Sequence, residues 1–284
     1  MSSPVWFVTG ASRGFGREIV LQALEKGHRV VATARNPGAI AAWLPEDVRE
    51  RVLPLALDVT DARQRAAALS ATRSAFGAVD ILVNNAGYGY LTAVEEGEDH
   101  DIRALFETNF FAAAALIRDV LPDMRTRRSG RIVNISSVGG FVGFPGSGYY
   151  AASKFALEGL SESLRAEVSL LGIDILLVEP GPFRTDWAGS SLRQSPTFIA
   201  DYEPTSGQRR RQVADTSGTQ AGCPLRAAQI IVDAALSPAP PFRLPLGEIA
   251  VRTIRAALIE VESDIAPWSD RGARADQPAE AEAV

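Results

Sequence analysis

The chain has 284 residues, of which 46% are hydrophobic and 22% charged, a composition typical of a globular protein with a substantial core. Its 34 acidic side chains outnumber 29 basic ones, and the formal net charge of -5 argues against a nucleic-acid partner. Cys223 is the single cysteine, which excludes an intrachain disulfide, and with only two histidines, far apart in sequence, no metal site is expected.

Apolar runs and helical spacings alternate along the chain. Short apolar or β-branched runs predict strands at residues 5–9, 29–34, 52–57, 80–83, 131–135 and 174–179, with a seventh at 242–246. Helical spacing predicts helices at residues 15–26, 99–124, 148–171, 226–236 and 248–266. This alternation predicts a single doubly wound α/β domain of the Rossmann type, with about seven strands in a parallel sheet.

The domain is expected to cover residues 1–266. Residues 181–224 are polar and rich in glycine, with scattered aromatics including Trp187, Phe198 and Tyr202, and are interpreted as a lid that covers a substrate. The arginine run within them, residues 209–211, is expected to be a solvated loop. Residues 267–284 are small, charged and rich in alanine, which predicts a disordered tail.

A glycine-rich turn, TGASRGFG, connects the first predicted strand to the first helix. Its glycines stand at Gly10, Gly14 and Gly16. Glycine lets the backbone turn sharply and approach a pyrophosphate, and a helix N-terminus offers free amides and a positive dipole end. The position at the first crossover of a parallel sheet indicates a dinucleotide site rather than a plain tight turn.

The end of the second predicted strand bears on the choice of dinucleotide. An acidic side chain there accepts hydrogen bonds from the adenosine ribose of NAD, whereas an arginine accommodates the 2'-phosphate of NADP. The strand ends in Ala34 followed by Arg35, with no Asp or Glu, and Arg13 lies in the glycine turn. Two guanidinium groups facing one phosphate favour NADP(H) as the cofactor.

The segment YYAASK, residues 149–154, carries the clearest acid–base pattern. Tyr150 has Lys154 four positions later, on the same face of a helix, whereas Tyr149 has Ser153 there. A nearby ammonium favours the phenolate and would bring a tyrosine pKa down toward neutral pH. With only Lys26 and Lys154 in the chain, chance is a poor explanation of this match.

Ser137 lies thirteen residues before Tyr150, at the carboxyl end of a predicted central strand. Strand ends of this kind face the ligand crevice in open α/β sheets. A hydroxyl there could hold a substrate oxygen on which charge develops. Ser136 is the competing candidate, and a plain turn or helix cap is the alternative role for either serine.

Together these segments resemble the short-chain dehydrogenase/reductase family. The glycine turn, NNAG at residues 84–87, Asn109, Ser137, YAASK, and Pro180 followed by Gly181 occur in the family's order and spacing over residues 4–250. Within the family, the first strand and turn, the second strand and residues 242–258 are most similar to the NADP-preferring group related to 17β-hydroxysteroid and retinol dehydrogenases.

The resemblance implies a role for each matched position. The tyrosine matched by Tyr150 is the general acid/base, and the lysine matched by Lys154 holds the nicotinamide ribose and lowers the tyrosine pKa. The serine matched by Ser137 orients the carbonyl, and the asparagine matched by Asn109 holds a water in a proton relay. Cofactor contacts are implied for Gly10, Ser12, Arg13, Gly14, Phe15, Gly16, Arg35, Asp58, Val59, Asn85, Ala86, Gly87, Tyr150, Lys154, Pro180, Gly181 and Thr185.

The substrate pocket is expected to be apolar. Phe141 and Phe144 lie between Ser137 and Tyr150, and with Trp187 from the lid they predict a pocket for apolar or aromatic carbonyl compounds. The expected activity is an NADP(H)-dependent carbonyl reductase (EC 1.1.1.-) that works reversibly. The alternatives are an NAD-linked secondary alcohol or hydroxysteroid dehydrogenase and a non-catalytic NADP-binding regulator.

The remaining expectations concern surroundings and assembly. No apolar run approaches the roughly 18 residues that cross a bilayer, and no signal-peptide pattern is recognised, so we expect a cytoplasmic protein without a membrane span. The resemblance implies a homodimer or homotetramer, and the expected partner is a small carbonyl or alcohol substrate.

Overall fold

The computed structural model describes residues 3–189 and 191–276. Its main strands are β1 (Val5–Val8), β2 (Arg29–Ala34), β3 (Val52–Ala56), β4 (Ile81–Asn84), β6 (Gly130–Ile135), β7 (Ile173–Pro180) and β9 (Arg243–Leu246). They form one parallel sheet of seven strands in the order β3-β2-β1-β4-β6-β7-β9. Two short strands, β5 (Gly89–Leu91) and β8 (Leu192–Gln194), pair separately. The predicted Rossmann-type α/β fold is confirmed.

Helices cover both faces of this sheet. They are α1 (Gly14–Glu25), α2 (Gly38–Ala41), α3 (Ala62–Phe76), α4 (Asp99–Phe106), α5 (Ala112–Arg127), α6 (Gly148–Val168), α7 (Gln208–Asp215), α8 (Pro224–Leu236), α9 (Glu248–Ile265) and α10 (Ser269–Ala273). Side chains alternate across β1, so Trp6 and Val8 join a core with α1 and α8. Phe7 joins a second core with α3, α5 and α6.

The strand order reverses direction at β1. From β1 the chain winds outward through β2 to β3, and then returns to β4 on the other side and winds outward to β9. The crossovers therefore diverge between β1 and β4, at the carboxyl edge of the sheet. In open α/β sheets, the crevice at such a switch point is where ligands bind.

The predicted helix at residues 99–124 is interrupted in the structure. It comprises α4, a π-helical turn at Glu107–Phe111 and then α5, which continues to Arg127. A π turn inserts a residue into the helical repeat and is often found at functional sites. The other predicted strands and helices match the observed ones to within a few residues at their ends.

The expected lid region, residues 181–224, is more ordered than a loop. It contains β8 and α7, and β8 pairs with β5 next to the main sheet. In the expected tail, residues 267–276 include the exposed helix α10, whereas residues 277–284 lie outside the described residues. No helix in the part of the chain that the structure describes is long and apolar enough to cross a membrane.

Candidate active site

A cavity of about 750 Å³ opens at the carboxyl edge of the sheet, between the glycine turn and the lid. Its size is within the usual range for ligand pockets. Most positions singled out in the sequence line it: Gly10, Ser12, Arg13, Gly14, Phe15, Arg35, Asp58, Val59, Asn85, Ala86, Gly87, Ser137, Phe144, Tyr150, Lys154, Pro180, Gly181, Thr185 and Trp187. Residues from distant parts of the chain therefore share one space.

The glycine turn forms a backbone cradle at one end of the cavity. Gly10 and Gly14 have φ angles of +66° and +55°, in the left-handed region that favours glycine. Gly16 faces the turn instead of the cavity, and a Cβ there would lie 2.3 Å from the Gly10 carbonyl oxygen. No side chain caps the N-terminus of α1, so its first amides remain available to an anion.

Arg13 and Arg35 both line the cavity, but they differ in their contacts. Arg13 donates to the Ser191 Oγ at 2.8 Å and lies 4.0 Å from the Asp186 carboxylate, so it connects the glycine turn to the lid. Arg35 is exposed and follows the last residue of β2 directly. Of the two, Arg35 therefore occupies the strand-end position that distinguishes the two dinucleotides.

Tyr150 and Ser137 meet beside the carboxyl end of β6. The Tyr150 phenol is buried, and the Ser137 hydroxyl and the Trp187 side chain lie close enough to it to favour its charged form. Burial raises the pKa of this phenol, and these two neighbours oppose the rise without reversing it. The Ser137 Oγ also accepts the backbone N–H of Gly139 at 3.0 Å, which orients the serine side chain. Tyr150 is therefore protonated at neutral pH.

Lys154 follows Tyr150 by one helical turn, as the spacing predicts. Its ammonium donates to the Ile135 carbonyl at 2.9 Å and lies 5.9 Å from the centroid of the Tyr150 ring. Burial lowers the pKa of Lys154 to about 8, while the Glu158 carboxylate opposes the drop. The expected lowering of the Tyr150 pKa by Lys154 is not seen, because the ammonium is held at the Ile135 carbonyl.

Ser136 occupies a different environment from its neighbour Ser137. Both line the cavity, but Ser136 lies on the side of a buried carboxylate, Glu158. Burial raises the pKa of Glu158, and Ser136 and Arg243 oppose the rise. Because Ser137, and not Ser136, is the serine that affects the Tyr150 phenol, Ser137 is favoured over Ser136 as the serine paired with the tyrosine.

Asn109 lies in the π turn, behind the cavity wall and not in its lining. Its amide oxygen accepts the Tyr88 backbone N–H at 3.0 Å, and its amide nitrogen donates to the Tyr88 carbonyl and the Ser153 hydroxyl at 3.0 and 3.2 Å. A Cβ on Gly87 would approach the Asn109 oxygen to 3.0 Å. Asn109 thus connects the segment after β4 to α6.

Some aromatic positions expected at the substrate pocket lie elsewhere. The ring of Phe141 does not line the cavity, and the Arg243 guanidinium lies 5.4 Å from its centroid. Among the lid aromatics, Phe198 is 58% exposed, and the Tyr202 hydroxyl donates to Glu95 at 2.7 Å. Trp187 lines the cavity because it comes shortly after Pro180, the last residue of β7, at the carboxyl edge of the sheet.

The sequence did not indicate how the lid is anchored. Both carboxylate oxygens of Glu96 accept from Arg210, at 3.0 and 3.2 Å, and they also accept the backbone N–H groups of Ala93 and Ile199. The Arg210 side chain is only 11% exposed, so the expectation of a solvated arginine run is wrong for Arg210, whereas Arg211 is exposed. No local signal reveals a pair separated by 114 residues.

Residues missed from the sequence also line the cavity. Tyr88, Arg193 and Arg209 are among them. Arg193 lies over the Tyr88 ring, 4.6 Å from its centroid, and Arg209 lies over the Phe144 ring at 5.4 Å. These arginines come from the lid, where high polarity and scattered glycines gave no periodic signal.

A family model described as short chain dehydrogenase matches residues 4–195. Among known relatives, oxidoreductase BOA17 of Botryotinia fuckeliana is 38% identical over 266 residues, which are 94% of this chain and 97% of the relative. Retinol dehydrogenase 8 of Homo sapiens is 36% identical over 250 residues, covering 83% of this chain and 79% of the relative.

Solved structures agree with these matches. A short-chain dehydrogenase from Streptomyces avermitilis has a TM-score of 0.87 and 38% identity, covering 96% of this chain and 100% of that one. A short-chain dehydrogenase/reductase from Burkholderia phymatum, solved in complex with NAD, has a TM-score of 0.81 and 25% identity, covering 93% and 95%.

Proposed function

Because this chain belongs to the short-chain dehydrogenase/reductase family of oxidoreductases, we propose that it is an NADPH-dependent carbonyl reductase. The proposed substrate is a ketone or aldehyde, reduced reversibly to an alcohol. The observation that carries the proposal is that the Ser137 hydroxyl lies beside the Tyr150 phenol in the same cavity as the glycine turn. It joins a proton donor and a carbonyl-orienting hydroxyl to a dinucleotide cradle.

Three side chains have separate proposed roles in the reduction. Ser137 holds the carbonyl oxygen, and Tyr150, kept protonated by burial, donates the proton that this oxygen needs when charge develops on it. Lys154 offers its ammonium to ribose hydroxyls in the same cavity. A bound nicotinamide supplies the hydride for the carbonyl carbon.

The cradle fits the phosphates and ribose of a dinucleotide. Positive φ angles at Gly10 and Gly14 expose the backbone, and the uncapped N-terminus of α1 supplies amide donors and a positive dipole end. Asp58 and Val59 line the side expected for the adenine, and Thr185 the side expected for the nicotinamide. The positions named from the family pattern are the proposed holders of the cofactor.

Arg35 is the proposed determinant of NADP over NAD. It stands at the end of β2, where a carboxylate would repel a 2'-phosphate and an arginine would bind it. A hydrogen bond to a charged group is worth about 1.5–3 kcal/mol, or roughly ten- to 150-fold in affinity. The Arg35→Asp variant should lose that margin for NADPH and keep its rate with NADH.

The test is the oxidation of NADPH and NADH in the presence of aromatic ketones, steroids and retinal. The proposal expects turnover that is faster with NADPH and a reversal of this preference in Arg35→Asp. An enzyme that prefers NADH, or a variant that keeps its preference for NADPH, would contradict the cofactor assignment. Cofactor binding without turnover of any carbonyl would favour the non-catalytic regulator.

A second candidate is an NAD-linked alcohol dehydrogenase. It is favoured by the Burkholderia phymatum relative, whose structure holds NAD. The glycine turn, Ser137, Tyr150 and Lys154 would serve it equally well, because only the adenosine ribose differs between the two cofactors. Alcohol oxidation with NAD, faster than carbonyl reduction with NADPH, would support this candidate.

A further inference from the structure

Arg209 is an arginine that faces the cavity from the lid. It is the second residue of α7, it lines the same cavity as Tyr150 and Ser137, and its guanidinium lies over the Phe144 ring. Phe144 belongs to the segment between Ser137 and Tyr150. Arg209 therefore lies at the part of the cavity wall that is formed by the segment joining Ser137 to Tyr150.

Its two neighbours in the arginine run have acidic partners, whereas Arg209 has none among the described residues. Arg210 binds the buried Glu96, and Arg211 binds Glu203. Among the described residues, no carboxylate lies within ion-pair distance of Arg209, and its NH1 donates only to the neutral Gln212, at 3.0 Å. Its Nε is buried and has no hydrogen-bond partner among those residues.

A half-buried cation with an unused donor is costly unless something else satisfies it. Burial lowers the pKa of Arg209, and no acidic group opposes that shift. The guanidinium nevertheless stays charged, since arginine is not deprotonated in proteins. The cavity thus holds a half-buried cation for which the described residues provide no carboxylate counter-charge.

Several other charged side chains of the cavity have partners among the described residues. Arg193 is 54% exposed and lies 3.9 Å from the Asp101 carboxylate. The carboxylate of Asp186 lies beside Arg13, and that of Asp58 accepts from the Thr60 hydroxyl at 2.7 Å. Besides Arg35, which is proposed to bind the 2'-phosphate, Arg209 is therefore an arginine of the cavity lining that has no carboxylate partner among the described residues.

Resting on the reductase function proposed above, we propose that the substrate is a carbonyl compound with a carboxylate on an apolar body, and that Arg209 binds this carboxylate. The planar guanidinium offers parallel N–H donors that match the two oxygens of a carboxylate. Phe144 and Val213, which line the same cavity, suit the apolar body. The substrate is thus an oxo acid, not the neutral carbonyl expected from the aromatic residues alone.

The experiment compares para-acetylbenzoate and homologues with longer methylene spacers with their methyl esters, using NADPH. Each pair differs only in the charge that Arg209 would bind. Arg209→Met removes the charge and keeps most of the apolar stem, and Arg211→Met, on the same helix and exposed, is the matched control. Steady-state KM and kcat are accompanied by calorimetric titration of each compound into the enzyme saturated with NADP.

The proposal expects at least one acid in the series to have a KM at least about tenfold below that of its ester. Arg209→Met should remove this difference by raising the KM for the acid, with little change in kcat, in the KM for the ester or in the KM for NADPH. Arg211→Met should behave as the wild type. An unchanged acid-to-ester ratio in Arg209→Met would overturn the inference, as would a rise in the KM for NADPH alone.

A wrong carboxylate site and a wrong reductase function would give different results. If the wild type reduces esters as well as acids at every length, the reductase function stands and the carboxylate site is wrong. If nothing in the series is reduced, the panel of neutral ketones, steroids and retinal decides the reductase function, and the titrations decide the site. Acids that bind to the wild type but not to Arg209→Met would support it, and acids that bind to neither would overturn it.

Discussion

The indole of Trp187 meets the phenol of Tyr150 edge-on, with their ring centroids 5.4 Å apart. The lid therefore touches the proposed proton donor directly. The contact also bears on acidity, because Trp187 is one of the two residues that oppose the rise in the Tyr150 pKa caused by burial. It suggests that the lid affects the acidity of the active site as well as its access to water.

Replacing Trp187 by Phe should move the pH dependence of alcohol oxidation. Oxidation needs the Tyr150 phenolate, and the variant lacks the N–H that stabilises it, so the Tyr150 pKa rises further. The acidic limb of the oxidation rate should shift to higher pH. Phe198→Leu, at an exposed lid aromatic, is the control and should leave the limb in place. An unmoved limb in Trp187→Phe would contradict the prediction.

Ser137→Ala should lower kcat for carbonyl reduction by roughly 100- to 1,000-fold, the usual loss when one donor to a developing oxyanion is removed. Ser136→Ala is the matched control, because its side chain lies on the side of Glu158 and not at the Tyr150 phenol. Stopped-flow or steady-state kinetics on both variants decide between the two serines. Equal losses, or a larger loss in Ser136→Ala, would reverse the assignment.

The affinity for NADPH should fall as pH rises through about 8. The folded-state pKa of Lys154 lies near that value, below the ordinary 10.5, so the ammonium is charged below pH 8 and loses its proton above it. Cofactor phosphates and ribose hydroxyls favour the charged form, so affinity decreases by up to about tenfold per pH unit above pH 8. Fluorescence titrations from pH 7 to pH 9.5 measure this, and Lys154→Met should show a flatter profile. An affinity that rises through this range would contradict it.

Glu96→Ala should loosen the lid. The variant leaves Arg210 as an uncompensated buried charge and frees two backbone N–H groups, a loss of about 3–5 kcal/mol in the free energy of unfolding for a broken buried pair. Denaturant unfolding measures the loss, and limited proteolysis should show earlier cleavage between residues 195 and 213. Glu46→Ala, which breaks an exposed pair with Arg49, is the control and should cost less than about 1 kcal/mol.

The sequence predicted those parts of the site that depend on local spacing. The Tyr150–Lys154 repeat and the glycines at 10, 14 and 16 depend on short-range geometry, which one helix and one turn determine. Strand ends were also predictable, because parallel strands align their carboxyl ends at one edge. That rule brought Ser137 into the cavity with residues of the glycine turn.

The sequence did not predict features set by tertiary contacts. The pairing of Glu96 with Arg210 and the approach of Arg209 to the cavity depend on how a polar segment folds back over the sheet. Phe141 points away from the cavity because the chain turns through Val138–Gly140 before it, and no periodic signal marks that turn. The oligomeric state and the cytoplasmic location stay predictions.

The most direct test of the account is the rate of carbonyl reduction by Tyr150→Phe, beside Tyr149→Phe. The two variants lose the same hydroxyl from adjacent positions, and the Tyr149 hydroxyl donates to the Val94 carbonyl at 2.8 Å. We predict that Tyr150→Phe loses about 100- to 10,000-fold in kcat and binds NADPH as the wild type does, while Tyr149→Phe stays active. Near-normal turnover in Tyr150→Phe would contradict it.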